Sequence, residues 1–426
     1  MTTATHRGLA PARHVLANGA VVLATQARTT PAVTLHASLR AGTVFDPPDR
    51  PGVAHFVSRT IDRGTRTRPA EAIAEELDRR GVSLAATVNR HALSLVCTCL
   101  VEDLHAILAL LADMVRQPAF PAEHVETRRG EIVTMIRQDE DNPAVMASEG
   151  LMADLFGPAH GYGRRARGSV DSVEAIDRST LETFHRACIA PASLSLVMVG
   201  DIESAAAIDA AAAAFGDWQA SSPRPLQLDE AAPAAGRRVR VIPMMNKAQA
   251  DIAYGFVSIR RSDPAYHAHW MMNNVLGQYA MGGRLGSSIR ERQGMAYYVQ
   301  SGLDANVIPG PLSIRAGVSP ANVERCIASI DEELARLAAD GPTDAELAES
   351  RQYLIGSLPR HLETNVGIAN FLQTVEFFDL GLDYDVRMPA LLHAVTRDEV
   401  HEAARRTLVP ARATIVVAGP YRGRAA

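Results

Sequence analysis

Two rhythms alternate along the chain. Residues 92–100 (ALSLVCTCL) are a short apolar run at strand period, and residues 82–88, set off by a polar Asn89-Arg90 break, read as its hairpin partner. Just upstream the period changes. Pro69 opens a predicted helix at its first position, Ile73, Ala74 and Leu77 share one face, and Gly81 stands where a C′ residue belongs. An amphipathic helix follows at 102–116, and a further segment begins at Pro121. Strands and helices are grouped in runs, which predicts an α+β fold with antiparallel sheets instead of a doubly wound parallel sheet.

The pattern then repeats. From Ala175 the chain reads AIDRSTLETFHRACIAPASLSLVMVGD, and from Ala394 it reads AVTRDEVHEAARRTLVPARATIVVAGP. Ala175, Pro191 and Gly200 thereby align with Ala394, Pro410 and Gly419 at one spacing of 219 residues. Each block is a helix, a turn with Pro and an apolar strand ending in Gly. A second pair agrees within a residue or two: strand 93–100, helix 102–116 and the text from Pro121 match residues 312–318, a helix at 321–339 and the text from Pro342. Two tandem homologous halves of about 220 residues follow, each an antiparallel sheet packed with helices. Residues 221–236 (SSPRPLQLDEAAPAAG) are rich in Pro and Ala and lack periodicity, so they read as a linker between halves at 1–220 and 237–426.

Charge and length narrow the function classes. Asp and Glu (48) outnumber Lys and Arg (43), so the surface lacks the basic excess that nucleic acid requires. The longest apolar runs, 194–199 and 205–215, fall short of the ~20 residues of a spanning helix, so no membrane span is expected. The N-terminal text shows no apolar leader core, and a cytoplasmic location is the expectation. Cys97, Cys99, Cys188 and Cys326 are too few for a disulfide scaffold and read as core residues.

Common catalytic signatures are absent: there is no GxxxxGK[ST], GxGxxG, GxSxG, HExxH or CxxC. The glycines from 277 to 286 (GQYAMGGRLG) lack the lysine of a phosphate loop and read as a flexible turn. His267 and His269, two apart on a predicted helix, point to different faces and do not share a metal.

One histidine has a different setting. Gly52-Val53-Ala54-His55-Phe56-Val57-Ser58-Arg59 resembles the zinc helix of the pitrilysin/insulinase-type metallopeptidases, which include mitochondrial processing peptidase and carry G-x-A-H-F-x-E-H. Residues 16–22 (LANGAVV) resemble the family's opening strand and Arg40-Ala41-Gly42 its next turn, and residues 81–84 and the DEDNP of 139–143 also fall at family positions. Ile289-Arg290-Glu291-Arg292-Gln293-Gly294-Met295-Ala296-Tyr297 is similar to the family's L-R-E-x-x-G-L-x-Y. The resemblance spans almost the whole chain and implies a clamshell-like peptidase subunit of two halves.

Residue by residue, it implies a disarmed zinc site. His55 matches the first zinc ligand, Ser58 stands for the catalytic Glu, Arg59 for the second ligand His and Met135 for the ligand Glu. Arg59 puts a fixed cation where a divalent cation would sit. A thioether is a poor replacement for carboxylate oxygen at zinc. A serine hydroxyl cannot act as the general base, a role worth ~10²–10⁴ in rate. The expectation is that the chain binds no catalytic zinc and hydrolyses nothing alone. His55 then becomes a packed or hydrogen-bonded relic, and His91 and His124 are the nearby imidazoles that a rebuilt metal site would use.

In the second half, Arg290 and Tyr297 match a family pair that reaches the zinc-bearing half. There the Arg binds substrate backbone carbonyls and the Tyr hydroxyl donates to the scissile carbonyl as it becomes an oxyanion. Read without the resemblance, Arg290 is a helix surface residue and Tyr297 a strand residue facing the core; Arg292 and Tyr298 are the alternatives in a shifted register. Gly277, Gly282, Gly283 and Gly286 fall where some non-catalytic subunits carry a glycine-rich substrate loop. The resemblance therefore implies a zinc-less subunit of a heterodimeric metallopeptidase. Arg290 and Tyr297 would act in trans at the site of a homologous, zinc-bearing partner that cleaves peptides. No cofactor is expected on this chain itself. The alternative is a non-enzymatic peptide-binding or scaffold protein on the same fold.

Overall fold

A computed structural model describes residues 8–278 and 283–423. The first sheet contains β1 (Ala12–Val15), β2 (Val21–Gln26), β3 (Ala32–Leu39), β4 (Leu84–Val88), β5 (Leu93–Leu100) and β6 (Leu194–Gly200). Its order is β1-β2-β6-β3-β5-β4. The second contains β7 (Arg238–Pro243), β8 (Ala250–Val257), β9 (Ala296–Leu303), β10 (Pro311–Val318) and β11 (Thr414–Gly419), in the order β7-β11-β8-β10-β9. Apart from β1, the two orders are the same order. β6 and β11 sit at equivalent places, as do the hairpins β4–β5 and β10–β9, so the duplication read from the 219-residue spacing is a duplication of topology.

The sheets are not purely antiparallel as predicted. In each, the strand returning from the end of the half inserts parallel to the first long strand: β2 pairs β6, and β7 pairs β11, in parallel register. All other neighbours are antiparallel, including the expected hairpin, in which Leu84 faces Cys97 and Val88 faces Leu93. The opening strand expected at 16–22 is displaced. A turn at Gly19, whose φ of 89° favours glycine, divides β1 from β2. The four cysteines are buried and unbridged, and no helix among the described residues is long and apolar enough to cross a membrane.

The compact units do not follow the linear division at 220 and 237. Unit 1 comprises residues 1–136, 165–227 and 358–386; unit 2 comprises 137–164, 228–357 and 387–426. Each half of the chain therefore lends a helix to the other half's sheet. In unit 1 the helix Asn365–Phe377 sets Ile368, Ala369 and Leu372 against Leu23, Val197 and Val199. Its Gln373 side chain donates to the carbonyls of His36 on β3 (2.7 Å) and Ser195 on β6 (2.9 Å), which ties the helix to two adjacent strands. In unit 2 the helix Pro143–Phe156 lies on β8 and β11, and two glycines permit the approach. A Cβ on Gly150 would stand 3.0 Å from Val416, and one on Gly255 would stand 2.9 Å from Leu151. Asn142 caps this helix through Ala144 N (3.0 Å), with Pro143 at its first position, which is the structural content of DEDNP.

Candidate functional site

The helix Val53–Thr60 carries three of the four zinc-motif positions, and its start is fixed by the residues before it. Asp46 accepts from Gly52 N and Ala54 N, both at 2.7 Å, meeting the free donors of the first turn and favouring the helix dipole. Gly52 has φ 101°, and a Cβ there would lie 2.5 Å from the Arg167 carbonyl oxygen, so this motif position admits only glycine. Phe56 is buried, with the Arg129 guanidinium 5.4 Å from its ring centroid.

Two of the substituted positions, Ser58 and Arg59, are engaged in ways that differ from metal ligation. Ser58 is buried, and its hydroxyl donates to its own helix at the His55 carbonyl (2.7 Å). Arg59 reaches the helix Ala122–Glu140 and pairs with Glu131 at 3.3 Å. Glu131 also accepts from Arg128 at 2.5 Å. The Arg128 hydrogen bond, with Arg59 adding to it, holds the Glu131 carboxyl below its usual range, so it remains ionised. Met135 is half-buried one turn beyond Glu131 on the same helix. His55 is half-buried on its own helix.

These residues do not fit a zinc ion. A divalent cation needs several lone pairs converging on one point. Here a guanidinium, which has only donors, occupies one ligand position, and the carboxylate that approaches it comes from position 131 instead of 135. Among the described residues no group of three or more His, Cys, Asp or Glu is arranged to hold a metal. His91 is buried against Phe377 (centroids 5.8 Å apart), and His124 is half-buried on the helix Ala122–Glu140. Glu131 was missed in the sequence. Its signal was the Arg128–Glu131 spacing of three, but its long-range partner Arg59 is visible only in the fold.

In unit 2 the helix Tyr266–Asn273 continues into a π-helical stretch, Asn274–Gln278, and a second π-helical stretch spans Gly286–Arg292. Such wide turns are rare and concentrate at functional sites. Arg290 is exposed on the second one. Gly294 then turns the chain with φ 59°, and β9 begins at Ala296. Tyr297 is 85% exposed, so the core-facing reading of this residue is corrected. The strand alternation explains why: Tyr298 points to the other face, crosses Gly317 on β10 and donates to Asp251 on β8. A Cβ at Gly317 would lie 2.5 Å from the Tyr298 ring, so glycine makes that crossing possible. The alternatives in a shifted register are thus engaged within the unit, Tyr298 with Asp251 and Arg292 with the buried Glu333 at 3.6 Å.

Gly277 and Gly283 are buried, and a Cβ on Gly283 would stand 2.7 Å from the Gly277 backbone. They serve a close approach of backbone, which differs from the flexible turn expected across 277–286. Gly282 lies outside the described residues.

One sheet topology is repeated within the chain, and the first copy carries His55, Ser58 and Arg59 on the helix Val53–Thr60. The comparisons agree. The family profile described as Insulinase (Peptidase family M16) matches residues 21–161, and the one described as Peptidase M16 inactive domain matches residues 175–354. The chain belongs to peptidase family M16. An uncharacterized zinc protease of Streptomyces coelicolor is 28% identical over 387 residues, covering 88% of this chain and 82% of that protein. A probable mitochondrial-processing peptidase subunit beta of Arabidopsis thaliana is 23% identical over 422 residues, covering 95% of this chain and 77% of that protein. Among solved structures, a peptidase M16 inactive domain from Pseudomonas fluorescens superposes with TM-score 0.90 at 26% identity, covering 97% of this chain and 99% of that one.

Proposed function

We propose that this chain is the zinc-less subunit of a heteromeric M16 metallopeptidase, supplying Arg290 and Tyr297 to the active site of a homologous partner that carries the zinc. The observation that carries the reading is the asymmetry between the two motif segments. Arg59 and Glu131 close on each other at 3.3 Å where zinc would be held, while Tyr297 stands 85% exposed directly after the π-helical stretch that presents Arg290. The solved relative from Pseudomonas fluorescens, described as a peptidase M16 inactive domain, supports a non-catalytic role on this fold.

Chemically, the exposed phenol is a donor for a carbonyl oxygen that gains negative charge, and the guanidinium suits peptide carbonyls near it. β9 is an edge strand, so its outward backbone groups are available to pair with an extended peptide. The substrates are unfolded peptides or protein segments. The test is reconstitution with a homologue from the same cells that has an intact H-x-x-E-H, followed by peptide hydrolysis with Arg290→Ala or Tyr297→Phe in this chain. Both variants assemble and turn over more slowly. Unchanged turnover in both removes the reading and leaves a peptide-binding or scaffold protein.

A further inference from the structure

The two sheets differ at one edge. In unit 1 the first long strand, β2, is paired along its outer side with β1, whereas in unit 2 its counterpart β7 ends the sheet, at the opposite end from β9. The counterparts match position for position. Val21 faces Ser195 on β6 as Arg238 faces Thr414 on β11, and Ser195 and Thr414 stand one 219-residue repeat apart. Val22 therefore corresponds to Val239, and Leu23 to Arg240. We infer that the free edge of β7 is a docking site for an extended segment of a partner protein, with acidic and apolar residues in alternation, lying against β7 as β1 lies against β2. The site is separate from the Arg290–Tyr297 segment and does not rest on the function proposed for it.

The backbone is the first argument. Arg238 N donates to the Ala413 carbonyl and Met244 N to the Gly419 carbonyl, both at 2.8 Å. Even positions thus turn their donors to β11, and by the alternation of a strand the N–H and C=O groups of Val239 and Val241 turn outward. Among the described residues none bonds them. At the matching positions of unit 1, Val22 and Ala24 face His14 and Ala12 of β1. Pro243 has no N–H and closes the run at one end, so the edge suits a short strand like the four-residue β1.

The side chains define what that strand carries. Val239 is 57% exposed, whereas Val22 is 1% exposed in a strand that both β1 and the helix Ser204–Phe215 pack against. An apolar residue directly opposite Val239 covers it. Arg238 and Arg240 lie on the other face of β7 and are exposed. Arg240 pairs with Asp154 at 2.8 Å, but Arg238 reaches only the Thr414 hydroxyl (3.0 Å), so this face of the edge keeps an excess of positive charge. Acidic residues directly opposite Arg238 and Arg240 answer that charge. The same rule disfavours a second copy of this chain. Its β1, seated in the register that β1 takes on β2, would set Arg13 opposite Arg240. Two β7 strands paired antiparallel in the registers centred on Val239 or Arg240 would also set arginines opposite each other.

The experiment is fluorescence anisotropy of a labelled octapeptide of alternating Glu and Val titrated with the full chain, beside its Lys–Val counterpart and a Glu–Pro peptide that cannot pair as a strand. The expected result is saturable binding of the Glu–Val peptide, affinity about tenfold weaker for Lys–Val, and no binding of Glu–Pro. Val239→Pro removes an outward donor without touching a bond to β11, and it abolishes binding; Val239→Ala keeps that donor and lowers the affinity only slightly. Arg238→Glu reverses the preference between the Glu and Lys peptides and needs no proline in the strand. An unchanged melting temperature checks that the variants fold. Absence of saturation at millimolar Glu–Val peptide overturns the site, as does full binding in Val239→Pro, which would put the peptide on another edge. A preference left unreversed by Arg238→Glu overturns the assignment to an acidic segment. A dimer in sedimentation that Val239→Pro dissolves gives the edge to a second copy and overturns the assignment to a partner protein.

Discussion

The zinc-motif region of unit 1 and the Arg290–Tyr297 segment of unit 2 belong to sheets of the same strand order apart from β1, yet their polar groups are engaged differently. In the first, two substituted positions are engaged within the unit: Ser58 bonds its own helix and Arg59 is met by Glu131, itself held by Arg128. In the second, Tyr297 turns outward while its neighbour Tyr298 is bonded across the sheet to Asp251. The contrast teaches that an arginine at a position the family motif gives to histidine has to be balanced in charge. A guanidinium in place of an imidazole brings a fixed positive charge, and a carboxylate one turn from the old ligand position supplies its counter-ion. No such closure has occurred around Tyr297.

The largest effect that would break the comparison is recovery of metal. Position 135 lies one helical turn from Glu131, which Arg59 already reaches, so a carboxylate there points toward the same place as residue 59. The triple variant Ser58→Glu, Arg59→His, Met135→Glu is expected to bind zinc stoichiometrically on metal analysis after dialysis. The parent and Arg59→His alone are expected to hold none. Zinc retained by the parent at one equivalent would show that another ligand set exists.

Next in size is Tyr297→Phe in the reconstituted complex. Removing one preorganised donor to a developing oxyanion costs about 10²–10³ in turnover, and the loss falls on kcat more than on KM. Ser58→Ala in the same complex leaves both constants unchanged, since its hydroxyl is occupied within its own helix. Equal losses from the two substitutions would erase the distinction between a closed and an open region.

Much of this arrangement was legible in the sequence, and the parts that were not share a physical cause. The duplication shows because helix, Pro turn and strand recur at a fixed spacing, and the β4–β5 hairpin shows because Asn89-Arg90 interrupts two strand-period runs. The exchange of helices between halves does not show. Residues 143–156 and 365–377 are equally good helices whichever sheet they cover, and nothing local records that Gln373 will donate to β3 and β6. The parallel pairs β2–β6 and β7–β11 were missed for a similar reason, since a strand's own pattern carries no direction for its partner. Tyr297 and Tyr298 are identical side by side in the text. Only the pairing of β9 with β10, and a glycine at 317, decides which of them is spent on the sheet.

A smaller effect, on stability, bears on unit 1, whose closed region rests on a sheet with a buried histidine. Burial pushes the His36 pKa down to about 4 from an ordinary 6.5. Between those values the unfolded chain takes up a proton that the folded chain refuses, so unfolding becomes easier as pH falls from about 6.5 to about 4. Above that window His36 is neutral in both states and contributes no slope. The total is on the order of 3 kcal/mol. Denaturant melts across this range should show the loss, and His36→Leu should lessen it by its own share, because His185, His267 and His269 add slopes of the same sign. A parent whose stability is level from pH 7 to 4 would contradict the burial argument.

The smallest effect tests the closed region most directly. Arg59 and Glu131 are both partly exposed, at 39% and 40% of their side-chain surface, so their mutual attraction is screened and worth about 0.2–1 kcal/mol. A double-mutant cycle with Arg59→Ala and Glu131→Ala isolates it, provided Arg128 is present throughout. Glu131→Ala should cost more than Arg59→Ala, because it strands two guanidinium groups and the other strands none: Glu131 keeps Arg128 when Arg59 is gone. Raising the salt should shrink both costs and the coupling together. A coupling of zero with equal single costs would mean that the two helices are positioned without this pair. The approach of Arg59 to Glu131 would then be a consequence of packing around Phe56 and not of charge.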